Sequence, residues 1–227
     1  SVTAENHTVL SRAEAHADSS GQWSVQLSTP VPASRGTTLA VAGATRSAGS
    51  AGFASIKDVS WGDVILCGGQ SNMGFGMCGA RDMSQTTQQA LDALPTGDAA
   101  VRFFFQQGSG PNGGAGASHC QTSAGAPSLT PAQSWVVADA SNAGGMSAVC
   151  LLTTAYLSQH LNSGSGDGVP VGAVESCVSG TNVEPWTPPA GGLWVQNMVP
   201  LLPYSFRLAL WDQGEADAKR TNSTWYS

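Results

Sequence analysis

Three short apolar runs, DVILC at 63–67, VPVGAVES at 169–176 and SFRLALW at 205–211, each break off into small and polar residues. GGQSNM follows the first, CVSGTNVEPW the second and DQGEADA the third. Runs of this length, unbroken by polar alternation, suit strands buried on both faces, as in a parallel sheet. Parallel strands need long crossovers, and the intervening sequence supplies them. RDMSQTTQQALDAL (81–94) reads as a helix closed by Pro95 and Gly97, and VRFFFQQ as a further strand. MSAVCLLTTAYLSQHL (146–161) reads as a helix with Met146, Val149, Cys150, Thr153, Tyr156, Leu157 and Leu161 on its apolar side, and LWVQNMVPLLP as a short helix stopped by proline. Strands alternating with helices predict an α/β fold with a parallel sheet and flanking helices over residues 59–227.

Residues 1–58 follow a different rule. GQWSVQLSTP alternates Trp23, Val25 and Leu27 with polar neighbours, and TTLAVAG repeats the pattern, the period of half-buried strands. This segment is too short for two full sheets and is expected to form the last strands of a β-sandwich.

Composition narrows the setting. Of 227 residues only 11% are charged, and 28 are glycine. Polarity therefore rests on Ser, Thr, Asn and Gln, which suits an exported protein. A formal charge of −6 gives no basic face for nucleic acid. No apolar run approaches the ~20 residues of a membrane helix. The opening SVTAENHTVL lacks the basic start and apolar core of a signal peptide, so a secreted or lysosomal protein of this sequence is expected to have been processed. The sequons at Asn6 and Asn222 fit the same setting. Cys67, Cys78, Cys120, Cys150 and Cys177 contain no C-x-x-C pair, so no metal or cofactor is expected. One or two disulfides are expected, with Cys78–Cys120 the preferred pair. Cys67 and Cys177 each close an apolar run and fit buried thiols equally well.

In an open parallel sheet, ligands bind where the strands' C-terminal ends open to solvent. Three polar loops at three such ends point to one site. Ser71, in Gly69-Gln70-Ser71-Asn72-Met73, sits where a sharp turn would present its hydroxyl. Met73 replaces the second glycine of a G-x-S-x-G elbow, which argues against the α/β-hydrolase fold. Gly180 in the second loop offers a bare N–H, and Gln213 in the third a side-chain amide; both suit stabilisation of an oxyanion.

WGDVILCGGQSNM, GTNVEPWTP and NMVPLLPYSFRLALWDQGEADA together resemble the sialate O-acetylesterases, a branch of the SGNH hydrolases. The resemblance covers nearly the whole chain. It implies a flavodoxin-like parallel sheet preceded by a β-sandwich, and a serine esterase that removes O-acetyl groups from sialic acids or related sugars. Ser71 would be the nucleophile. Its N–H, the Gly180 N–H and the Gln213 amide would form the oxyanion hole, and Glu215 would fix the loop that carries Gln213. Two departures stand out: the family's GGT reads Ser179-Gly180-Thr181, and its WYQGE reads Trp211-Asp212-Gln213-Gly214-Glu215. The family's base and its acid sit in a D-x-x-H motif downstream of QGE, and that motif is not in this sequence. His7 and His16 fall in the β region, His160 ends a helix, and His119 lies in the long loop. A second chain of the same precursor carrying D-x-x-H is the expected partner. Trp186 and Trp194 are candidates for lining a sugar site or for the core. The alternative reading is a noncatalytic carbohydrate-binding or scaffold protein that keeps the fold.

Overall fold

The computed structural model describes residues 1–27, 31–43, 52–77, 89–106, 134–164 and 168–218. The chain divides into two compact units, one of residues 1–62 with 162–170, the other of residues 63–161 with 171–227.

The first unit is a four-stranded antiparallel sheet in the order β2-β1-β3-β4, from β1 (Val2–Thr3), β2 (Val9–Ser11), β3 (Ser34–Ala42) and β4 (Phe53–Trp61). Among the described residues no second sheet belongs to this unit, and Phe53 and Ile56 of β4 are exposed. Its polar interior is satisfied at Thr37, whose hydroxyl donates to Val59 O and accepts the Trp61 Nε1–H, both at 2.8 Å. The alternation in GQWSVQL does not become a strand: residues 21–27 carry no ladder, and Trp23 and Val25 are exposed. Alternation makes one strand face apolar, but burial needs a partner layer, and none of the described residues supplies one here.

The second unit is built on a five-stranded sheet in the order β7-β6-β8-β5-β9, from β5 (Asp63–Gly69), β6 (Arg102–Phe105), β7 (Val136–Val137), β8 (Val171–Cys177) and β9 (Leu208–Asp212). β6, β8, β5 and β9 are mutually parallel, and β7 adds an antiparallel edge. The four parallel strands, numbered along the chain, stand in the order 2-3-1-4. That differs from the flavodoxin-like 2-1-3-4-5 implied by the family resemblance. The reason lies in β5, which pairs along its whole length with β8 and along its last five residues with β9. β6 is therefore left to pair outside β8.

All seven residues of β8 are buried, the mark of a strand covered on both faces. One face meets α1 (Ala148–Leu161) and a core of Ile65, Cys67, Phe103, Phe105, Met146 and Leu151, among others. The other carries Leu66 and Val174, which pack with Leu201 of the helical turns at 194–201. A cavity of about 490 Å³ opens on this second face, lined by Val64, Phe104, Trp135, Val174, Tyr204 and Phe206 among others. It is set into a sheet face, whereas the polar loops leave the strand ends. Of the expected helix over 81–94, the described residues 89–92 are helical. Among the described residues no helix is long and apolar enough to cross a membrane.

The face that α1 buries is only in part the one its pattern suggests: of the expected apolar side, Met146 and Cys150 are buried and Leu157 and Leu161 pack against the core. Cys150, Leu151, Thr154, Ala155 and Ser158 are buried, whereas Val149, Leu152 and Tyr156 are exposed. The helix is apolar nearly all round, so periodicity cannot choose its inner face. Small side chains choose it: the Ser158 hydroxyl donates to Ala99 O at 2.6 Å, and Cys150 bonds covalently to Cys67 in β5. That bridge, with Cα atoms 6.0 Å apart, corrects the expectation that Cys67 is as readily a thiol. Cys177 is a buried thiol whose S–H faces Cys67 O at 3.6 Å. Cys78 and Cys120 lie outside the described residues.

The bridge spans 83 residues of sequence. Closing so long a loop is worth about 4–5 kcal/mol in chain-entropy terms, and native disulfides typically deliver about 2–4 kcal/mol. Denaturant unfolding with and without a thiol reductant is expected to show a loss in that range on reduction. Identical midpoints would mean that the bridge contributes nothing.

Candidate functional site at the strand ends

The site begins with register. Gly69 of β5 stands opposite Cys177 of β8 and Asp212 of β9, so the three strands end level. Two backbone bonds carry the pairing one residue further: Val178 N–H donates to Gly69 O at 3.0 Å, and Gln70 N–H to Asp212 O at 2.9 Å. The chain can close up this tightly because position 69 lacks a side chain. Its φ is +138°, and a Cβ there would stand 1.9 Å from Asp212 O.

Ser71 lies two residues beyond this pinch, in a turn closed by Gly74 N–H to Gln70 O at 2.9 Å. Its neighbours on both sides are tied down. Glu215 accepts from the Gln70 side-chain amide through one carboxylate oxygen and from the Asn72 side-chain amide through the other. Ser71 itself makes no hydrogen bond to a described residue, so its hydroxyl and N–H are uncommitted. The family resemblance implies that Glu215 fixes the loop of Gln213. In the structure its carboxylate reaches the other way, onto the serine turn.

Gly180 is exposed on the loop after β8, with φ at +71° and open space where a Cβ would stand. Its N–H likewise bonds to no described residue. Gln213 follows Asp212 directly, but its amide nitrogen is occupied: it donates to Asp217 Oδ2 at 2.7 Å and to Thr181 O at 3.1 Å. Asp217, which the sequence reading passed over, is fully buried. Besides Gln213 it accepts the Val183 N–H at 3.1 and 3.3 Å, so it joins the loop after β9 to the loop after β8. Its only signal in the sequence is a third acid in the run Asp212, Glu215, Asp217.

The tryptophans divide. Trp186 is buried, donates through Nε1 to the Thr181 hydroxyl at 3.0 Å and meets Trp211 edge-on at 5.2 Å. It packs the second loop rather than offering an open face, whereas Trp211 is 47% exposed. Trp194 is half-buried in the turns that follow. Of the histidines, His7 and His16 belong to the first unit, and His119 lies outside the described residues. His160 stacks on Tyr156 near the C-terminal end of α1, about 20 Å along the helix from the end near the strand tips.

No family model and no curated protein sequence matches the chain. Among solved structures it is similar to a carbohydrate acetylesterase from Xanthomonas citri, at 25% identity and a TM-score of 0.63. The match takes in 90% of this chain and 42% of the acetylesterase, so the chain spans about two-fifths of that protein's length. The chain thus has a mixed α/β fold similar to part of that acetylesterase.

The two glycines separate packing from conformation. Gly69→Ala is expected to cost about 3 kcal/mol or more, because a backbone oxygen cannot swing aside. Gly180→Ala, with the same unfavourable sign of φ but nothing to strike, is expected to cost about 1–2 kcal/mol. Urea denaturation of both variants checks the order; equal losses would show that the strand ends are not pinched at Gly69.

Proposed function

We propose that this chain is the nucleophile-bearing part of a serine esterase of the SGNH type that removes O-acetyl groups from sialic acids or related sugars. The observation that carries the reading is Ser71: an uncommitted hydroxyl on a turn just past a strand end, held on both sides through Glu215. The likeness to a carbohydrate acetylesterase supports the substrate class.

In this reading Ser71 Oγ attacks the acetyl carbonyl carbon while a base takes the hydroxyl proton. The carbonyl oxygen becomes an oxyanion facing the N–H groups of Ser71 and Gly180, neither of which has another partner to give up among the described residues. Gln213 joins them by releasing Thr181 O, its longer bond, while Asp217 keeps the amide oriented. The tetrahedral intermediate collapses, the sugar oxygen leaves with the proton carried by the base, and acetyl-Ser71 remains. Water, deprotonated by the same base, attacks the acetyl group and releases acetate.

The base is the part that the described residues do not supply, since His160 is at the far end of α1. A second chain or segment carrying a histidine and an acid in a D-x-x-H arrangement fills this place. Without it Ser71 stays a neutral alcohol and loses the general-base contribution, worth about 10²–10⁴ in rate. The bridge at Cys67–Cys150 suits the oxidising surroundings of a secreted or lysosomal protein. Glycan at Asn6 or Asn222 would fit the same surroundings. The noncatalytic alternative draws on the same facts: a site with no base at hand and an occupied Gln213 amide can hold an acetylated sugar without cleaving it.

Acetate release from an O-acetylated sialic acid decides between the two. With the base-bearing segment present, Ser71→Ala is expected to abolish release, and Gln213→Ala to lower it by about 10²–10³. Release by Ser71→Ala at the wild-type rate would remove the nucleophile assignment. No release by the wild type with that segment bound, together with retained sugar binding, would establish the noncatalytic reading.

A further inference from the structure

Glu175 has no part in the chemistry above, yet it is a fully buried carboxyl in the middle of the structure. It stands in β8 between Cys67 of β5 and Phe105 of β6. One carboxyl oxygen accepts the Ser147 N–H at 3.1 Å; the other has no partner among the described residues. An acid is a poor choice for such a place unless its reach is needed, because a buried charge with one hydrogen bond is costly.

What it reaches is a junction. The Ser147 hydroxyl accepts the Cys150 N–H at 3.1 Å and so caps the first turn of α1. The residues on either side of Ser147 grip the chain that leaves Ser71: Ala148 N–H donates to Phe75 O at 2.8 Å, and Met77 N–H to Met146 O at 2.9 Å. Phe75 in turn donates back to Asn72 O at 3.4 Å, beside the serine. We infer that Glu175 is a positioning residue for the Ser71 turn: it anchors Ser147, and Ser147 anchors residues 75–77. Its bearing on catalysis rests on the esterase reading; its bearing on the turn does not.

This anchor carries a pH dependence. Burial pushes the Glu175 carboxyl up to about 7, against the pull of the Ser147 N–H in the other direction. The titratable group nearest in the strand is the Cys177 thiol, itself pushed well above its usual range by burial first and by the Glu175 charge second. Cys67 and Cys150 are locked in the bridge, and neither Phe105 nor Met73, whose sulfur lies 4.0 Å from the Ser147 hydroxyl, carries a charge. Between the ordinary value of 4.5 and about 7 the folded chain holds a proton that the unfolded chain has lost. The stabilisation is therefore complete below about pH 4.5, falls as pH rises, and is gone above about pH 7. Over that span the folding constant is expected to drop on the order of a hundredfold.

Two variants and two readouts test this on the protein as isolated. Glu175→Gln keeps an oxygen for Ser147 and never ionises. It is expected to lose the Glu175 share of the pH dependence, so that above pH 7 it is more stable than the wild type. Glu175→Ala removes the acceptor, and amide hydrogen exchange at Phe75, Met77 and Ala148 is expected to quicken about tenfold or more, with Glu175→Gln restoring protection. If Glu175→Gln keeps the wild-type pH dependence, or exchanges at residues 75–77 as fast as Glu175→Ala, the inference fails; should Glu175→Ala not fold, the comparison of Glu175→Gln with the wild type decides. Neither readout uses catalysis, so failure of the Ser71 assignment, seen in acetate release by Ser71→Ala, is a separate result.

Discussion

Everything at the candidate site depends on β5 being paired on both sides, in register, to its last residue. Gly69, Cys177 and Asp212 end level, and the ladder runs one residue past them through Val178 and Gln70. The three loops thus start from a common line set by backbone hydrogen bonds, whose geometry does not depend on which side chains follow. A side chain at 69 would force β5 and β9 apart and break that line at its tightest point. The Ser71 turn is held in place by a scaffold that is nearly all main chain.

Above that line the loop after β9 acts as the tie between its neighbours. Glu215 reaches the β5 loop through Gln70 and Asn72, and Asp217, two residues later, reaches the β8 loop through Val183. Acids two apart in a tight turn face different sides, so one short stretch braces both. Each carboxylate accepts at least two N–H groups, which offsets much of the cost of holding two negative charges so close together.

Much of this is legible in the residues. The unbroken apolar runs mark parallel strands, buried in β5 and β8 but largely exposed in the edge strand β9, and their abrupt ends in Gly69-Gln70-Ser71, Ser179-Gly180 and Asp212-Gln213 mark one edge of the sheet. Other features are long-range and leave no local trace. The 2-3-1-4 strand order follows from competition for the two sides of β5, which no single segment encodes. The inner face of α1 is set by Cys150 finding Cys67, 83 residues away, on a helix whose apolar residues point nearly everywhere. Asp217 and Glu175 look like ordinary acids in the sequence; only burial reveals what they hold. The strand expected around Trp23 failed for the opposite reason, a good local pattern with no layer to receive it.

The bridge between β5 and α1 makes a covalent ring of the chain from Cys67 to Cys150. The Ser71 turn lies just inside one end of the ring and the helix cap just inside the other, and the glycine- and serine-rich stretch 108–133 belongs to the remaining circumference. Residues can be added to or removed from that circumference at small entropic cost, since closure depends only weakly on length. Even a cut in it leaves both halves attached through sulfur. The ring thus gives evolution a segment to lengthen, shorten or rewrite, while the serine and the helix that steadies it stay bound to each other.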